Sequence, residues 1–383
     1  GLSAAAARAA EGRSVIGGER APEGAGLTDP RTTAVLRPAV DLRARAGVGP
    51  LIEAEAEPLE VMRLIDAGGR ENRARESADF RAEEIGEPPF GWNIPNSAIR
   101  RALNERLASL PRARVHHGAA LEALTLRRDA AIARLSTGET IRARLAIGAD
   151  GRDSRLRELA GIGARRWRYD QKALVFLVST ERGHENASTE IHRSGGPFTL
   201  VPMPDGPGPD GRDGPRVSVV WMERAAEADR LLALPETEFE EAMNERALGV
   251  LGRLRLIGGR AAWPMISLLA DRLTAPRAAL IAEAAHVVTP VGAQGLNMSL
   301  GDIQALLDAT REAADPGAPD PLARYQRRWP ELAARVAGID ALNRASMVEA
   351  QPLRDLRRLG LGALIRARPA RRLAMRLGLG ARD

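Results

Sequence analysis

Residues 279–297 read ALIAEAAHVVTPVGAQGLN, and this stretch decides the fold. Its apolar start predicts a buried strand that delivers the carboxylate of Glu283, and the turn from Pro290 to Gly295 predicts the start of a helix. A carboxylate in this position suits the hydroxyl groups of a sugar, and the free backbone amides of a helix N-terminus attract negative charge. A strand, an acid, a Pro-x-Gly turn and a helix start within about twenty residues form a specific combination. Together they predict the ligand-binding edge of an α/β fold.

A second stretch, residues 148–157, reads GADGRDSRLR. It follows a predicted strand over 140–149 and turns sharply at Asp150-Gly151 into a basic helix. Ligands of α/β folds bind at the carboxyl ends of the strands, which is where this turn would lie. An Asp-Gly pair is also a common turn, so this stretch gains its weight from the first one.

The first nineteen residues, GLSAAAARAAEGRSVIGGE, predict an alanine-rich helix over 2–10 and a short strand that leads to Glu19. A dinucleotide-binding βαβ unit places a G-x-G-x-x-G run after its first strand and an acidic residue after its second. The spacing fits Gly1 as the last of these glycines and Glu19 as the ribose carboxylate. The first strand and the first two glycines are then missing from the sequence. If the natural protein begins at Gly1, we expect cofactor affinity to fall; if the sequence is a fragment, we expect an ordinary enzyme. The alternative is an alanine-rich helix followed by an unrelated strand.

The pattern changes between residues 171 and 265. Several β-branched runs are separated by turn residues, among them the Gly/Pro/Asp loop 205–215. This block predicts an antiparallel sheet inserted into the first domain, to which residues 59–66 could add a strand.

Composition excludes several classes of function. The chain has 383 residues, 28% of them charged and 44% apolar, as in a globular protein. It has no cysteine, which excludes disulfides, thiolate metal sites and cysteine nucleophiles. With 3% aromatic residues, a nucleic-acid surface built on base stacking is not expected. The only lysine, Lys172, follows no glycine-rich phosphate loop, so a P-loop NTPase is excluded. No signal peptide or transmembrane run is recognised, and we expect a cytoplasmic location.

The net charge of +6 is concentrated at the carboxyl end. Residues 351–383 hold nine arginines and two aspartates, so this segment carries +7 and the rest of the chain −1. Leucines recur in it at roughly helical spacing. A basic amphipathic segment suits a membrane surface or a groove on a partner protein. The equally weighted alternative is a helix docked on its own domain with its arginines in solvent.

These stretches resemble the motifs of class A flavoprotein monooxygenases, and in particular the ubiquinone-biosynthesis hydroxylases (UbiH/UbiF-like). Residues 148–157 are similar to the Asp-Gly motif of that family and residues 280–302 to its second flavin motif. The runs at 29–34, 92–96 and 360–380 are similar to the ubiquinone branch. The resemblance covers nearly the whole chain in the right order. One departure is Ala282-Glu283, where Gly-Asp is commoner.

The resemblance implies an α/β fold with a Rossmann-like FAD-binding domain of the PHBH type and an inserted antiparallel-sheet substrate domain. The FAD-binding domain is expected from residues 1–58, 91–170 and 266–345, the substrate domain from 59–90 and 171–265, and a basic amphipathic helical segment from 346–383. The implied FAD-binding residues are Gly1, Glu19, Arg20, Arg31, Asn96, Asp150, Glu283, Pro290, Gly292, Gly295, Leu296 and Asn297. No residue is assigned to proton transfer, and His286 is expected to support the flavin turn structurally.

The implied activity is hydroxylation of a polyprenylated phenol in ubiquinone biosynthesis. NAD(P)H would reduce FAD, O₂ would give a flavin hydroperoxide, and its distal oxygen would pass to the phenol ring. Contact of the basic tail with the inner face of the membrane, or with a biosynthetic complex, is a further expectation.

Two alternatives remain at this point. One is a flavin hydroxylase of a soluble aromatic compound, which a polar pocket with a carboxylate-binding arginine would favour over an apolar tunnel. The other is an inactive, truncated flavin-fold protein that serves as a partner subunit.

Overall fold

The structure is a computed structural model that describes residues 1–27, 29, 31–37, 45–86, 89–193 and 195–379. Its helices are α1 (Leu2–Ala10), α2 (Gly49–Ile52), α3 (Asn96–Ser109), α4 (Arg155–Leu159), α5 (Ala225–Ala233), α6 (Glu236–Ala247), α7 (Gln294–Thr310), α8 (Pro319–Gln326), α9 (Trp329–Ser346), α10 (Gln351–Arg366) and α11 (Arg368–Leu379). Its strands are β1 (Val15–Glu19), β2 (Thr32–Leu36), β3 (Glu57–Leu59), β4 (Val61–Asp66), β5 (Glu76–Arg81), β6 (Gly91–Pro95), β7 (Ala113–His117), β8 (Leu121–Leu126), β9 (Ala131–Leu135), β10 (Thr140–Ala143), β11 (Ala146–Gly148), β12 (Ala164–Thr180), β13 (Ala187–His192), β14 (Pro197–Pro207), β15 (Asp213–Glu223), β16 (Leu254–Ala270), β17 (Thr274–Ala275), β18 (Ala278–Leu280) and β19 (His286–Val287).

Two parallel strand pairs carry the edges at which the sequence predicts ligand binding. β1 pairs with β7, and β11 pairs with β18. Helix α1 packs against α3, and its alanines are buried in the same apolar core as β18 and α7. Small side chains on α1 allow this close packing, and alanine also has the highest helix propensity. The predicted helix over 2–10 is confirmed.

The strand predicted over 140–149 is wrong in its extent, because the chain changes sheet within it. β10 pairs antiparallel with β9, whereas β11 pairs in parallel with β18. The two residues between them, 144 and 145, form the crossing. Arg144 anchors this crossing, because its guanidinium donates to the carbonyl of Ala314 over 2.6 Å.

The inserted block forms an eight-stranded sheet in the order β19-β16-β12-β15-β14-β13-β4-β5. The predicted antiparallel sheet is therefore confirmed from β12 to β16, and the strand expected near residues 59–66 joins it as β4. β4 departs from the antiparallel pattern, because it pairs in parallel with β13. One face of the sheet packs against α5 and α6 through an apolar core that includes Phe176 and Phe239.

The opposite face, called the inner face below, is defined by one row of paired residues. Antiparallel and parallel pairs place partner residues on the same side of a sheet, and alternate residues of a strand share a face. The row runs through Ala261, Val175, Val220, Thr199, Glu190, Leu64 and Ala78.

The carboxyl-terminal helices α10 and α11 dock on the β5 end of the inner face. Leu361, Leu364, Ile365 and Met375 pack there with Phe80 and its apolar neighbours. A second set of leucines in the same helices is exposed, namely Leu353, Leu356, Leu359 and Leu373. The tail is thus docked, as one alternative predicted, and still presents an apolar stripe. No helix in the described ranges is both long and apolar enough to cross a membrane.

Candidate functional site

The turn before α7 brings backbone amides together at a helix start. Gly292 and Ala293 both adopt left-handed conformations, with φ of 60° and 55°, which aim the chain into α7. No side chain caps α7 at this end. The first-turn amides, to which Gly295 and Leu296 belong, are therefore free of side-chain partners and carry the positive end of a seventeen-residue helix. Pro290 is exposed at the edge of the turn.

The side chain of Asn297 ties α7 to strand β2. Its amide nitrogen donates to the carbonyl of Ala34 over 2.7 Å and to that of Ala293 over 2.8 Å. Its amide oxygen accepts from the backbone nitrogen of Leu36 over 2.8 Å. The side chain is therefore committed to the protein, and only the backbone of Asn297 remains for a ligand.

A buried ionic cluster lies behind this turn. Asp302 of α7 accepts hydrogen bonds from His286 at 2.6 Å, from the Ala282 backbone nitrogen at 3.0 Å and from Arg328 at 3.0 Å. Burial by itself raises the pKa of Asp302, but the neighbouring His286 and Arg328 outweigh it and hold that pKa below the usual range. The expected structural role of His286 agrees with these contacts.

Glu283 and Asp150 show that the motifs at residues 279–297 and 148–157 lie at the same edge of the fold. The exposed carboxylate of Glu283 lies 3.5 Å from the guanidinium of Arg152, in the loop that follows Asp150. Asp150 accepts a hydrogen bond from the Leu156 backbone nitrogen over 3.0 Å and one from the Ser154 hydroxyl. Asp150 thus holds the start of α4 in place, and Glu283 faces the same loop.

The first residues of the chain reach that edge too. A side-chain carbon built on Gly1 would lie 3.9 Å from the Cβ atom of Ala149. The Gly1 nitrogen is also within electrostatic range of Glu19 and Asp150. Glu19 ends β1 and accepts a hydrogen bond from the Ala21 backbone nitrogen over 3.0 Å. Gly1, Glu19 and Asp150 are therefore close together, whereas Arg20 points into solvent beside them.

Arg31 and Asn96 share Asp29. The Arg31 guanidinium binds Asp29 through two hydrogen bonds of 2.8 and 2.7 Å, and the Asn96 amide donates to the same carboxylate over 3.3 Å. Burial raises the pKa of Asp29, but the bonds from Arg31 outweigh it and lower that pKa overall. The same bonds raise the pKa of Arg31, with a contribution from Glu283. Arg31 also lies over the ring of Trp263, 5.4 Å from its centre, so it joins this edge to the eight-stranded sheet.

These residues fit an FAD molecule. Glu19 at the end of a parallel strand suits the ribose, and the uncapped start of α1 suits a phosphate. Glu283 suits the ribityl hydroxyls, and the uncapped start of α7 suits the negative edge of a flavin ring. Carboxylates and helix starts of the required kind therefore lie along one edge of the fold.

An apolar cluster lies where the turn meets the inner face. Val291 packs there with Trp263, Met265, Met222 and Val220. Tyr169 joins the cluster and binds Ser267 through its hydroxyl at 2.9 Å. Burial, and then the Asp340 carboxylate, raise the pKa of Tyr169.

Sequence reasoning did not find several residues of this arrangement. Arg328, which binds Asp302, and Trp263, which lies under Arg31, come from other parts of the chain, so no local spacing reveals them. Arg152 lies within residues 148–157 and Asp302 within residues 280–302, which is the one signal that could have found these two.

A surface hollow of about 650 Å³ lies elsewhere, lined by Glu11, Gly12, Arg13, Arg45 and Arg311. It is at the carboxyl ends of α1 and α7, whereas the edge described above is at their amino ends. Arg45 is neutralised there by Glu11 and Asp308, at 3.1 and 3.2 Å. We therefore do not assign the hollow to the flavin. No cluster of potential metal ligands occurs among the residues that the structure describes.

Comparisons with known proteins place this chain in a flavin-binding family. The model of the FAD binding domain family matches residues 1–338. Ubiquinone hydroxylase UbiL of Rhodospirillum rubrum is 36% identical over 359 residues, which cover 92% of this chain and 80% of that protein. The 3-demethoxyubiquinol 3-hydroxylase of Escherichia coli is 30% identical, covering 79% of this chain and 76% of that protein.

Among solved structures, p-nitrophenol 4-monooxygenase PnpA from Pseudomonas putida DLL-E4 superposes with a TM-score of 0.78 at 16% identity, covering 100% of this chain and 96% of that one. At this identity the likeness concerns the fold, which is the expected α/β fold with an inserted sheet. The chain belongs to the FAD binding domain family of flavoprotein monooxygenases.

Proposed function

We propose that this protein hydroxylates a polyprenylated phenol in ubiquinone biosynthesis, with FAD as cofactor and NAD(P)H and O₂ as co-substrates. FAD, when bound, supplies the redox chemistry that activates O₂ with electrons from NAD(P)H. The protein's own task is to bind the ring beside the flavin edge and to exclude water. We assign the twelve FAD-binding residues named from the sequence to the cofactor, with Asn297 acting through its backbone.

The apolar cluster under Val291 is the observation that supports this substrate. Trp263, Met265 and Met222 offer apolar surface next to the flavin turn. Arg31, which reaches the cluster, is already bound by Asp29. An apolar surface whose neighbouring Arg31 is already paired favours a prenylated phenol over a soluble aromatic carboxylate.

The same substrate gives the tail a role. A polyprenylated phenol resides in a membrane, and the exposed leucines of α10 and α11 stand among arginines. We propose that this surface binds the anionic inner face of a membrane. The side-chain amide of Gln294, the first residue of α7, donates to the carbonyl of Gly378 over 2.8 Å. Membrane contact would therefore occur close to the flavin turn.

The test is turnover of the purified, FAD-loaded protein with two phenols, 2-geranylphenol and 4-hydroxybenzoate. The expected result is NAD(P)H oxidation coupled to a hydroxylated product with 2-geranylphenol alone. Coupled turnover of 4-hydroxybenzoate alone would favour the soluble-substrate alternative. A protein that takes up no flavin would favour the inactive partner subunit.

A further inference from the structure

One histidine on the inner face has a ring nitrogen without a partner. His192 ends β13, two residues after Glu190, so both side chains lie on the inner face. Its Nε2 atom lies 3.3 Å from Oε2 of Glu190, and the two side chains are 19% and 8% exposed. Its Nδ1 atom is buried and accepts no hydrogen bond from the residues that the structure describes.

This arrangement is costly unless something binds the free nitrogen. A buried polar atom without a partner loses its hydrogen bonds to water and gains none in return. Because a carboxylate can only accept, a neutral His192 ring that carries its proton on Nε2 faces Glu190 with the N–H and keeps the lone pair on Nδ1. The dyad therefore presents a proton acceptor whose orientation is fixed by its carboxylate.

The dyad lies beside the apolar cluster that we assign to the substrate. Glu190 pairs with Thr199, and Thr199 pairs with Val220, which packs in that cluster. Two inter-strand spacings of about 4.8 Å separate Glu190 from Val220, so roughly 10 Å lies between the Glu190–His192 dyad and the apolar cluster. A phenol ring and its hydroxyl can bridge this distance.

Other elements enclose this part of the inner face. On one side, Asn93 of β6 donates to the Pro202 carbonyl of β14 over 2.6 Å. On another side, α10 and α11 cover the β5 end, and the flavin turn covers the β16 end. Between these covering elements, the inner face is polar at Thr199, Glu190 and His192.

We propose that His192 is the base that takes the phenolic proton of the substrate. The phenol O–H bond breaks, its proton forms an N–H bond at Nδ1, and the electron pair stays on the ring oxygen as phenolate. The Glu190 carboxylate stabilises the resulting imidazolium through Nε2–H. The phenolate ring is richer in electrons and therefore more reactive toward an electrophilic oxygen. This proposal rests on the proposed function.

Charged residues lie on the strands and the helix next to His192. Asp66 of β4 is the register partner of His192, and Glu76 of β5 is the partner of Asp66. Arg75 binds Asp66 at 2.7 Å and Asp355 of α10 at 2.5 Å. On the other side, β14 contributes the uncharged Pro197. Asp66 and Asp355 are both paired with Arg75, so Glu190 is the carboxylate whose contact with the His192 ring the structure shows.

Two substitutions at His192 separate proton transfer from packing. His192→Asn keeps an acceptor near the place of Nδ1 but cannot take a proton, whereas His192→Gln places its amide nearer to Nε2 and removes the Nδ1 acceptor. Glu190→Gln removes the carboxylate and keeps the shape. His184→Gln is the matched control, because both ring nitrogens of His184 are bonded, to the Met203 carbonyl at 3.0 Å and the Asn186 backbone at 3.2 Å.

The first measurement needs no turnover. The FAD-loaded proteins are titrated with 2-geranyl-4-nitrophenol, whose phenolate is yellow, at a pH where the free phenol is colourless. The difference spectrum is expected to show bound phenolate with the wild type and His184→Gln. With His192→Asn the compound should bind without the phenolate band, and His192→Gln should bind it more weakly and also without the band. Glu190→Gln should need a higher pH for the same band.

The second measurement is the pH profile of coupled hydroxylation of 2-geranylphenol. At neutral pH we expect kcat of His192→Asn to fall about 100-fold and to recover as the pH approaches that at which the phenol ionises by itself. A phenolate band and pH profile in both His192 variants equal to those of His184→Gln would overturn the proposal while leaving the hydroxylase function intact. A wild-type enzyme that binds and hydroxylates no prenylated phenol would overturn the proposed function, and this inference with it.

Discussion

The Nε2 atom of His286 lies 2.6 Å from Oδ2 of Asp302, and both side chains are closed off from solvent. Asp302 also binds Arg328 of the following helical region and the backbone of Ala282. One carboxylate thus joins the strand end that delivers Glu283, the middle of α7 and the segment before α9. The turn at residues 290–295 is therefore held by charge as well as by its backbone conformation.

Asp302→Asn should destabilise the protein by about 3 kcal/mol, because it leaves Arg328 without its buried counter-charge. The measurement is urea unfolding followed by circular dichroism. Asp308→Asn on the same helix is the control, since Asp308 is an exposed partner of Arg45 and Arg311 and should cost less than about 1 kcal/mol. Equal losses in the two variants would contradict a special role for Asp302.

This stability should also depend on pH in a defined direction. The pKa of Asp302 is lowered from its usual 3.8, so the carboxylate stabilises the folded state at all pH values above 3.8. The contribution should be lost only as the pH falls below that value, through the pKa of the folded state. The difference in unfolding free energy between wild type and Asp302→Asn should therefore be constant near neutral pH and shrink in acid. A difference that disappears already near pH 6 would assign the effect to another group.

Ala282→Gly should stabilise the protein by about 0.5 kcal/mol. Ala282 has a φ of 55°, a left-handed conformation that costs an L-residue about 1 kcal/mol, and the greater freedom of glycine in the unfolded chain offsets part of the gain. Ala284→Gly is the matched control, because Ala284 lies in the same short turn without a positive φ and should lose about 1 kcal/mol. Thermal unfolding of both variants measures the difference. A glycine at 282 that destabilises as much as one at 284 would contradict the conformational argument.

The flavin edge was predictable from the sequence because local chemistry defines it. Gly292, Gly295 and Glu283 lie within one strand-turn-helix unit, and the structure forms that unit at the predicted place. The Gly-Asp that the resemblance leads us to expect at residues 282–283 also has a local reason, since Ala282 adopts a positive φ. The FAD contacts of these residues stay predictions.

The dyad of Glu190 and His192 was not predictable in the same way. Its position beside the apolar cluster depends on cross-strand register, which places Glu190 in one row with Thr199 and Val220. Alternation along one strand assigns a side chain to a face, but it does not say which segment covers that face. The docking of the tail on β5 was open for the same reason, because two leucine stripes on one segment are equally apolar in sequence.

Asn297→Ala should weaken flavin retention and stability together. The substitution leaves the Leu36 amide and the Ala34 carbonyl without their partner, at a cost of about 2 kcal/mol, and frees β2 from α7. The measurement is the fraction of FAD kept after desalting, beside an unfolding curve. Gln304→Ala is the control two turns further along α7, where the amide donates to Asp308 on the same helix. Flavin retention in Asn297→Ala equal to that of this control would show that the tie to β2 does not position the turn.

The exposed leucines of the tail should bind membranes without supporting the fold. Leu356 and Leu359 are 63% and 62% exposed, so Leu356→Glu with Leu359→Glu should leave the unfolding free energy within about 0.5 kcal/mol of the wild type. Co-sedimentation with vesicles of phosphatidylglycerol and phosphatidylcholine should fall more than about tenfold, because two leucines lose their contact with lipid and the added carboxylates are repelled.

The control substitutes the other stripe of the same helix. Leu364 packs with Phe80 of β5 and Met375 of α11, so Leu364→Glu should reduce stability by about 3 kcal/mol, because it places a charge in an apolar cluster. Since the two stripes differ only in which way they face, opposite effects on vesicle binding and on stability would assign one stripe to lipid and the other to the fold. Unchanged vesicle binding of the Leu356→Glu, Leu359→Glu double variant would show that these leucines do not contribute to membrane binding. The arginines would then have to account for any binding that remains, and that binding would disappear in high salt.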